Sequence, residues 1–142
     1  MNVNTVDKSL SPKVGVQVLV IKDNLILIGK DNKKGTDIFG VPGGKWENGE
    51  TLIEAAKREV FEESGIVCDQ LQFVNIYDFF REDKGVSYVS IGYTARYVSG
   101  DNKDNLEEGR VAWQWLIPQV ALKLNLYPAG KILIETYLNQ KI

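Results

Sequence analysis

Three glutamates, Glu59, Glu62 and Glu63, crowd one short stretch of the chain. The segment around them, Thr51 to Ser64, has no Gly or Pro and is rich in Ala, Glu, Leu, Lys and Arg, so it predicts a helix with Gly65 as its left-handed stop. At about 100° per residue, Leu52, Ile53, Ala56 and Val60 fall in one arc that must face a core. Glu59 and Glu63 lie on the margin of that arc, and Glu62 lies just outside it, because positions three and four apart are neighbours on a helix. Two carboxylates about 5 Å apart at an effective dielectric of about 20 repel by about 3 kcal/mol. Arg58 reaches Glu54 or Glu62 at four-residue spacing, but one guanidinium does not balance three partly desolvated carboxylates. A divalent cation would. Hard oxygen ligands select Mg²⁺, Mn²⁺ or Ca²⁺ over zinc, and Mg²⁺ readily shares its shell with substrate phosphates. The same three residues, taken alone, are also the ordinary composition of a solvated acidic helix face.

What the chain lacks narrows the chemistry. Its 142 residues include 0 His, which excludes imidazole bases, HExxH zinc sites and Ser-His-Asp or Cys-His nucleophilic arrangements. The single cysteine, Cys68, permits neither an internal disulfide nor a Cys-rich zinc site and reads as a small core residue. With 17 Lys plus Arg against 19 Asp plus Glu, the net charge of -2 supplies no basic field for a nucleic-acid polymer. No apolar run is long enough for a membrane span, and Met1 to Pro12 is polar, without a signal-peptide core. The expectation is a flexible lead-in over residues 1–12, a single domain over 13–142, and a cytoplasmic home.

A longer pattern surrounds the glutamates. From Gly44 the chain runs five residues to Glu50, then seven to Arg58-Glu59-Val60, and on through Glu62-Glu63 to Gly65-Ile66. This resembles the Nudix box, GX5EX7REUXEEXGU with U apolar, at every fixed position. Chance would produce it in fewer than about one in ten million chains of this size at average residue usage. The resemblance implies a metal-dependent hydrolase that holds Mg²⁺ or Mn²⁺ against a diphosphate while water attacks phosphorus in line. By position it implies that Glu59, Glu62 and Glu63 bind metal, that Glu59 is a candidate base, and that Gly43 lends a backbone carbonyl. Arg58 would hold the glutamates in place, through Glu50 among others, and Lys45 would touch phosphate. A further carboxylate, Glu108 or its neighbour Glu107, would complete the metal shell from a later loop.

The resemblance implies a small nucleotide substrate, a nucleoside diphosphate linked to a group X, and is compatible with a homodimer. The ADP-ribose branch carries a proline about where this chain has Arg81. The dinucleoside polyphosphate branch has a tyrosine near that offset, and Tyr77 comes early. The Trp113-Gln114-Trp115 stretch and compact length are similar to MutT-type enzymes, so the favoured reaction is cleavage of a nucleoside triphosphate to the monophosphate and pyrophosphate. Other nucleoside diphosphate derivatives, among them nucleotide sugars, are the alternative, followed by a non-catalytic nucleotide sensor. Phe39 and Tyr77 are candidate base-stacking residues, and Gln114 is a candidate for reading a base edge.

These side chains need a scaffold. Lys13–Ile21 and Leu25–Gly29 read as a hairpin about Asp23-Asn24. A short strand from Ile38 to Val41 ends in a tight Pro42-Gly43-Gly44 turn, and Leu71–Phe80 and Val86–Val98 form a second antiparallel pair. Arg110–Leu116 reads as a strand, and Pro128–Leu138 as a terminal helix with Pro in its first turn. Strands on both sides of a central helix, with a second helix at the end, predict an α+β fold, a three-layer α/β/α sandwich with a mixed central sheet.

Overall fold

The computed structural model describes residues 6–33, 35–104 and 109–140. Strand β1 (Lys13–Lys22) turns at Asp23-Asn24 into β2 (Leu25–Asp31). Both turn residues hold positive φ, 51° and 66°, as a tight two-residue hairpin demands. There follow β3 (Phe39–Gly40), β4 (Gly43–Lys45), α1 (Leu52–Ser64), β5 (Val67–Arg81), β6 (Val86–Ser99), β7 (Arg110–Leu116), α2 (Pro118–Ala121) and α3 (Pro128–Gln140).

The sheet is mixed, as expected. Its main order is β3-β2-β1-β6-β5, with β7 on β2 and β4 on β1. β1 and β6 run parallel, from Lys13 opposite Tyr88 to Ile21 opposite Arg96, and the other pairs are antiparallel. The free edge of β1 is divided: β4 covers Gly15 to Gln17, and β2 takes Ile21 and Lys22.

Helices cover both faces, which is why β1 reads as an almost continuous apolar run. Val16, Val18 and Val20 pack with Ala55, Ala56 and Val60 of α1, while Leu19 packs with Leu133 and Ile134 of α3 on the other side. Cys68 is buried in the α1-side core, where desolvation pushes its thiol up to about 11. Among the described residues no helix is long and apolar enough to cross a membrane.

Helix α1 is defined at both ends by its own sequence. Thr51 Oγ1 accepts the Glu54 N–H at 3.1 Å while the Glu54 carboxylate accepts the Thr51 N–H at 2.8 Å. That reciprocal cap is written as T-x-x-E and fixes where the helix starts. Gly65 ends it at φ 75°, its N–H donating to the Phe61 carbonyl.

Three details differ from expectation. Ile53 is exposed and Ala55 is buried instead, because the buried arc is rotated toward the glutamates. The Gly43-Gly44 turn is in fact part of a strand, β4; glycine has low strand propensity, and here it is present because the backbones pass so closely. Pro118 not only closes β7 but also starts the short α2. At the N-terminus, the Asp7 N–H donates to Gly85 O at 3.0 Å, joining residues before β1 to the β5–β6 turn.

Candidate functional site

Strand β4 lies along the first half of β1, and α1 packs beneath the pair. The Gly43 N–H donates to Glu63 Oε1 at 2.7 Å. A Cβ on Gly44 would overlap the Glu59 carboxylate, so the missing side chain is the space that this carboxylate fills. Glu59 and Glu63 are 7% and 2% exposed, which makes them the buried acids of the helix, whereas Glu62 is partly open to solvent.

Arg58 ties these elements together. Its Nε and Nη2 donate to the two oxygens of Glu50 at 3.0 and 2.7 Å, a bidentate fork. Nη2 also donates to the Lys45 carbonyl at 2.9 Å, and Nη1 donates to Glu59 Oε1 at 2.8 Å. Glu62 is a longer contact at 3.4 Å, and Glu54, the other expected partner, is taken by the helix cap. One guanidinium thus fastens the end of β4, the loop before α1 and the helix itself. Hydrogen bonds from Arg58 hold the Glu50 carboxyl below its ordinary value, and the same bonds push the Arg58 guanidinium up. The Glu47 N–H adds a bond to Glu50 Oε1 at 2.9 Å, so Glu50 is oriented from two directions.

A second cation approaches from the far side. Arg110, the first residue of β7, places Nη1 3.5 Å from Glu63 Oε2. Its guanidinium lies over the Tyr127 ring, 5.3 Å from the centroid, and against Gly40, where a Cβ would come within 2.7 Å of Nη2. Tyr127 donates its hydroxyl proton to Asp31. Burial opposes charge on Asp31, yet the bonds from Tyr127 and the Lys33 N–H, with the nearby Arg110 charge, hold its carboxyl below the ordinary range. Burial, and then the bond to Asp31, push the Tyr127 hydroxyl up. Trp113 donates its indole N–H to the Glu63 carbonyl at 3.1 Å, anchoring the helix end to β7. Neither Arg110 nor Tyr127 belongs to the box, and the only trace of this arrangement in the sequence is the pair of small residues, Gly29 and Gly40, that let Trp113 and Arg110 lie across the sheet.

The donors offered by α1 are carboxylate oxygens, which suit a hard divalent cation and no soft one. Among the described residues no three acids already enclose a metal-sized space; Arg58, Arg110 and the Gly43 N–H engage their oxygens instead. In donor chemistry these oxygens are of the kind Mg²⁺ or Mn²⁺ takes; Glu59 and Glu63 are buried at the glycine strand, and Glu62 is partly open to solvent.

The other sequence candidates are dispersed. Lys45 is exposed on β4, beside the Arg58 fork. Phe39 packs in the α3-side core with Val41 and Leu126. Tyr77 stacks on Phe79 at 5.6 Å, which stacks on Tyr88 at 5.4 Å. Gln114 is exposed on β7, while Trp113 and Trp115 on either side pack with the α1-side core. Glu107 and Glu108 lie outside the described residues.

Residues 11–137 match the NUDIX domain family model. An ADP-ribose pyrophosphatase of Methanocaldococcus jannaschii is 33% identical over 95 residues, 66% of this chain and 56% of that protein. The 8-oxo-dGDP phosphatase NUDT18 of Mus musculus is 29% identical over 79 residues, 56% of this chain but 23% of its own length. The chain therefore spans from about a quarter to just over half of these relatives. A solved NUDIX hydrolase from Nitrosomonas europaea superimposes with TM-score 0.78 at 27% identity, covering 92% of this chain and 91% of that one.

Proposed function

Since the chain belongs to the NUDIX domain family, we propose that it is a metal-dependent pyrophosphohydrolase that cleaves a nucleoside diphosphate linked to a group X. A nucleoside triphosphate is the favoured substrate, with the monophosphate and pyrophosphate as products. The observation that carries this reading is the burial of Glu59 and Glu63 against Gly44 and Gly43, with Arg58 locking that geometry through Glu50.

Glu59, Glu62 and Glu63, with the Gly43 carbonyl, would hold Mg²⁺ or Mn²⁺. When bound, the ion supplies positive charge to the phosphate oxygens as negative charge develops on them. The protein's own part is orientation. Arg58 fixes Glu59 from one side, and Glu59 is the candidate base for the attacking water in a chain without histidine. The Gly43 N–H fixes Glu63, so the helix acids do not swing apart despite their mutual repulsion. Lys45, next to both glycines, is the candidate contact for a substrate phosphate. The proposed setting is cytoplasmic.

A second reading, hydrolysis of another nucleoside diphosphate derivative, draws support from relatives named for ADP-ribose and 8-oxo-dGDP. The test is a hydrolysis screen with Mg²⁺ over canonical and oxidised nucleoside triphosphates, nucleoside diphosphates, ADP-ribose, nucleotide sugars and dinucleoside polyphosphates, with products identified. Pyrophosphate release from a triphosphate supports the first reading, and preferred cleavage of a different anhydride the second. Binding without cleavage anywhere in the panel would leave a sensor. EDTA should abolish turnover, and Mg²⁺ or Mn²⁺ should restore it.

A further inference from the structure

We infer that Arg110 is a substrate-binding residue that grips a phosphate oxygen beside Glu63; the inference deepens the hydrolase reading and rests on it. The two arginines of the site spend their donors differently. A guanidinium carries five N–H groups. Arg58 commits its fork to Glu50 and adds bonds to Glu59 and the Lys45 carbonyl, so it is a structural clamp with little left to offer. Among the described residues Arg110 makes one long hydrogen bond, to Glu63 at 3.5 Å, and its buried Nε meets no acceptor. A charged donor left without a partner is costly, and a water, an ion or a ligand must complete such a group.

The setting is prepared in advance. Tyr127 supports one face of the guanidinium, and Gly40 gives it room. The hydroxyl of Tyr127 is itself tied to Asp31, and Asp31 lies opposite Arg110 across the β2–β7 pairing. Little side-chain freedom is then left to lose on binding. The planar fork matches phosphate better than an ammonium does. Arg110 reaches Glu63 from β7, the strand paired with β2, whereas Lys45 lies on β4, paired with β1.

The test uses magnesium methylenediphosphonate, a diphosphate that cannot be hydrolysed, titrated calorimetrically into the wild-type protein and into Arg110→Gln and Arg110→Lys. Mn²⁺ binding without the diphosphonate is followed in parallel by electron paramagnetic resonance. Arg110→Gln should weaken diphosphonate binding by about tenfold or more, as expected for a charge-assisted pair, and Arg110→Lys by less. Mn²⁺ should bind Arg110→Gln at least as tightly as wild type, because removing a cation beside Glu63 favours another, and should bind Arg110→Lys about as tightly as wild type. Diphosphonate affinities within twofold of wild type would overturn the inference, as would parallel losses of diphosphonate and Mn²⁺, which would make Arg110 a mere prop for Glu63. Hydrolysis by the wild-type protein is scored separately. Arg110-dependent diphosphonate binding without turnover of any nucleotide sinks the hydrolase reading alone; turnover with Arg110-independent binding sinks this inference alone.

Discussion

Gly44 and Glu59 share one volume: the carboxylate occupies the place where any other residue at position 44 would carry its Cβ. Gly44→Ala must therefore push Glu59 away or bend β4. The expected outcome is a protein that keeps its far-ultraviolet circular dichroism yet loses at least tenfold in kcat, since sub-ångström placement governs such sites. Unchanged kcat would show that Glu59 needs no fixed position.

Much of this was readable beforehand, and the misses are instructive. Helix α1, with Gly65 at its end, and the β1–β2 hairpin at Asp23-Asn24 carry local signals, and both appear as expected. Strand β4 had none, because Gly43 and Gly44 are strand residues only through their pairing with β1. Arg58 with Glu50 was legible from the box, whereas Arg110 reaches Glu63 by a path that depends on strand pairing and the gap above Gly40. Local patterns record caps and turns; contacts between distant strands leave only faint marks, here a few glycines.

Glu63→Gln retains an oxygen for the Gly43 N–H, so the fold should persist, with the thermal midpoint near that of wild type. Turnover with Mg²⁺ should fall by about 10²–10⁴-fold, the range for removing a group essential to proton transfer or charge stabilisation. Glu59→Gln should behave alike. A variant of either kind with wild-type kcat would remove that residue from the chemistry.

Arg58→Lys keeps the charge but loses the fork to Glu50 and the bond to the Lys45 carbonyl. An ammonium cannot reproduce the planar two-point fork at this part-buried site. Differential scanning calorimetry should show a midpoint lower by a few degrees. A drop below 2 °C would mean that an ammonium serves equally well.

Acid should weaken the protein partly through Asp31. Its folded carboxyl is held below the ordinary value, so its contribution to stability is complete above the unfolded pKa of about 3.9 and is lost as pH falls through the folded value. Urea midpoints measured from pH 6 down to pH 3 should fall less steeply for Tyr127→Phe, which has already lost the bond. Superimposable pH slopes would show that Tyr127 does not hold the Asp31 charge.

Cys68 should be nearly inert while the protein is folded. With its thiol pushed up to about 11, the thiolate population at pH 8 is on the order of a hundredfold below that of an unfolded chain. Iodoacetamide labelling at pH 8, followed by mass spectrometry, should be slow until urea passes the unfolding midpoint. Rapid labelling of the native protein would place the thiol at the surface.

The divided edge of β1 bears on how far this site can travel. Gly43 meets Glu63 because it sits opposite Gln17, and Gln17 is held in place by β6 beyond it. A slip of two residues would carry the glycines about 7 Å past the helix acids, and a slip of one would turn them to the wrong face. The chemistry is thus gauged by strand alignment laid down far from it, as far off as the hairpin bend at Asp23-Asn24. Transplanting the loop and helix into a foreign barrel or sandwich would move the letters of the motif without its ruler, and the graft should fold yet stay silent.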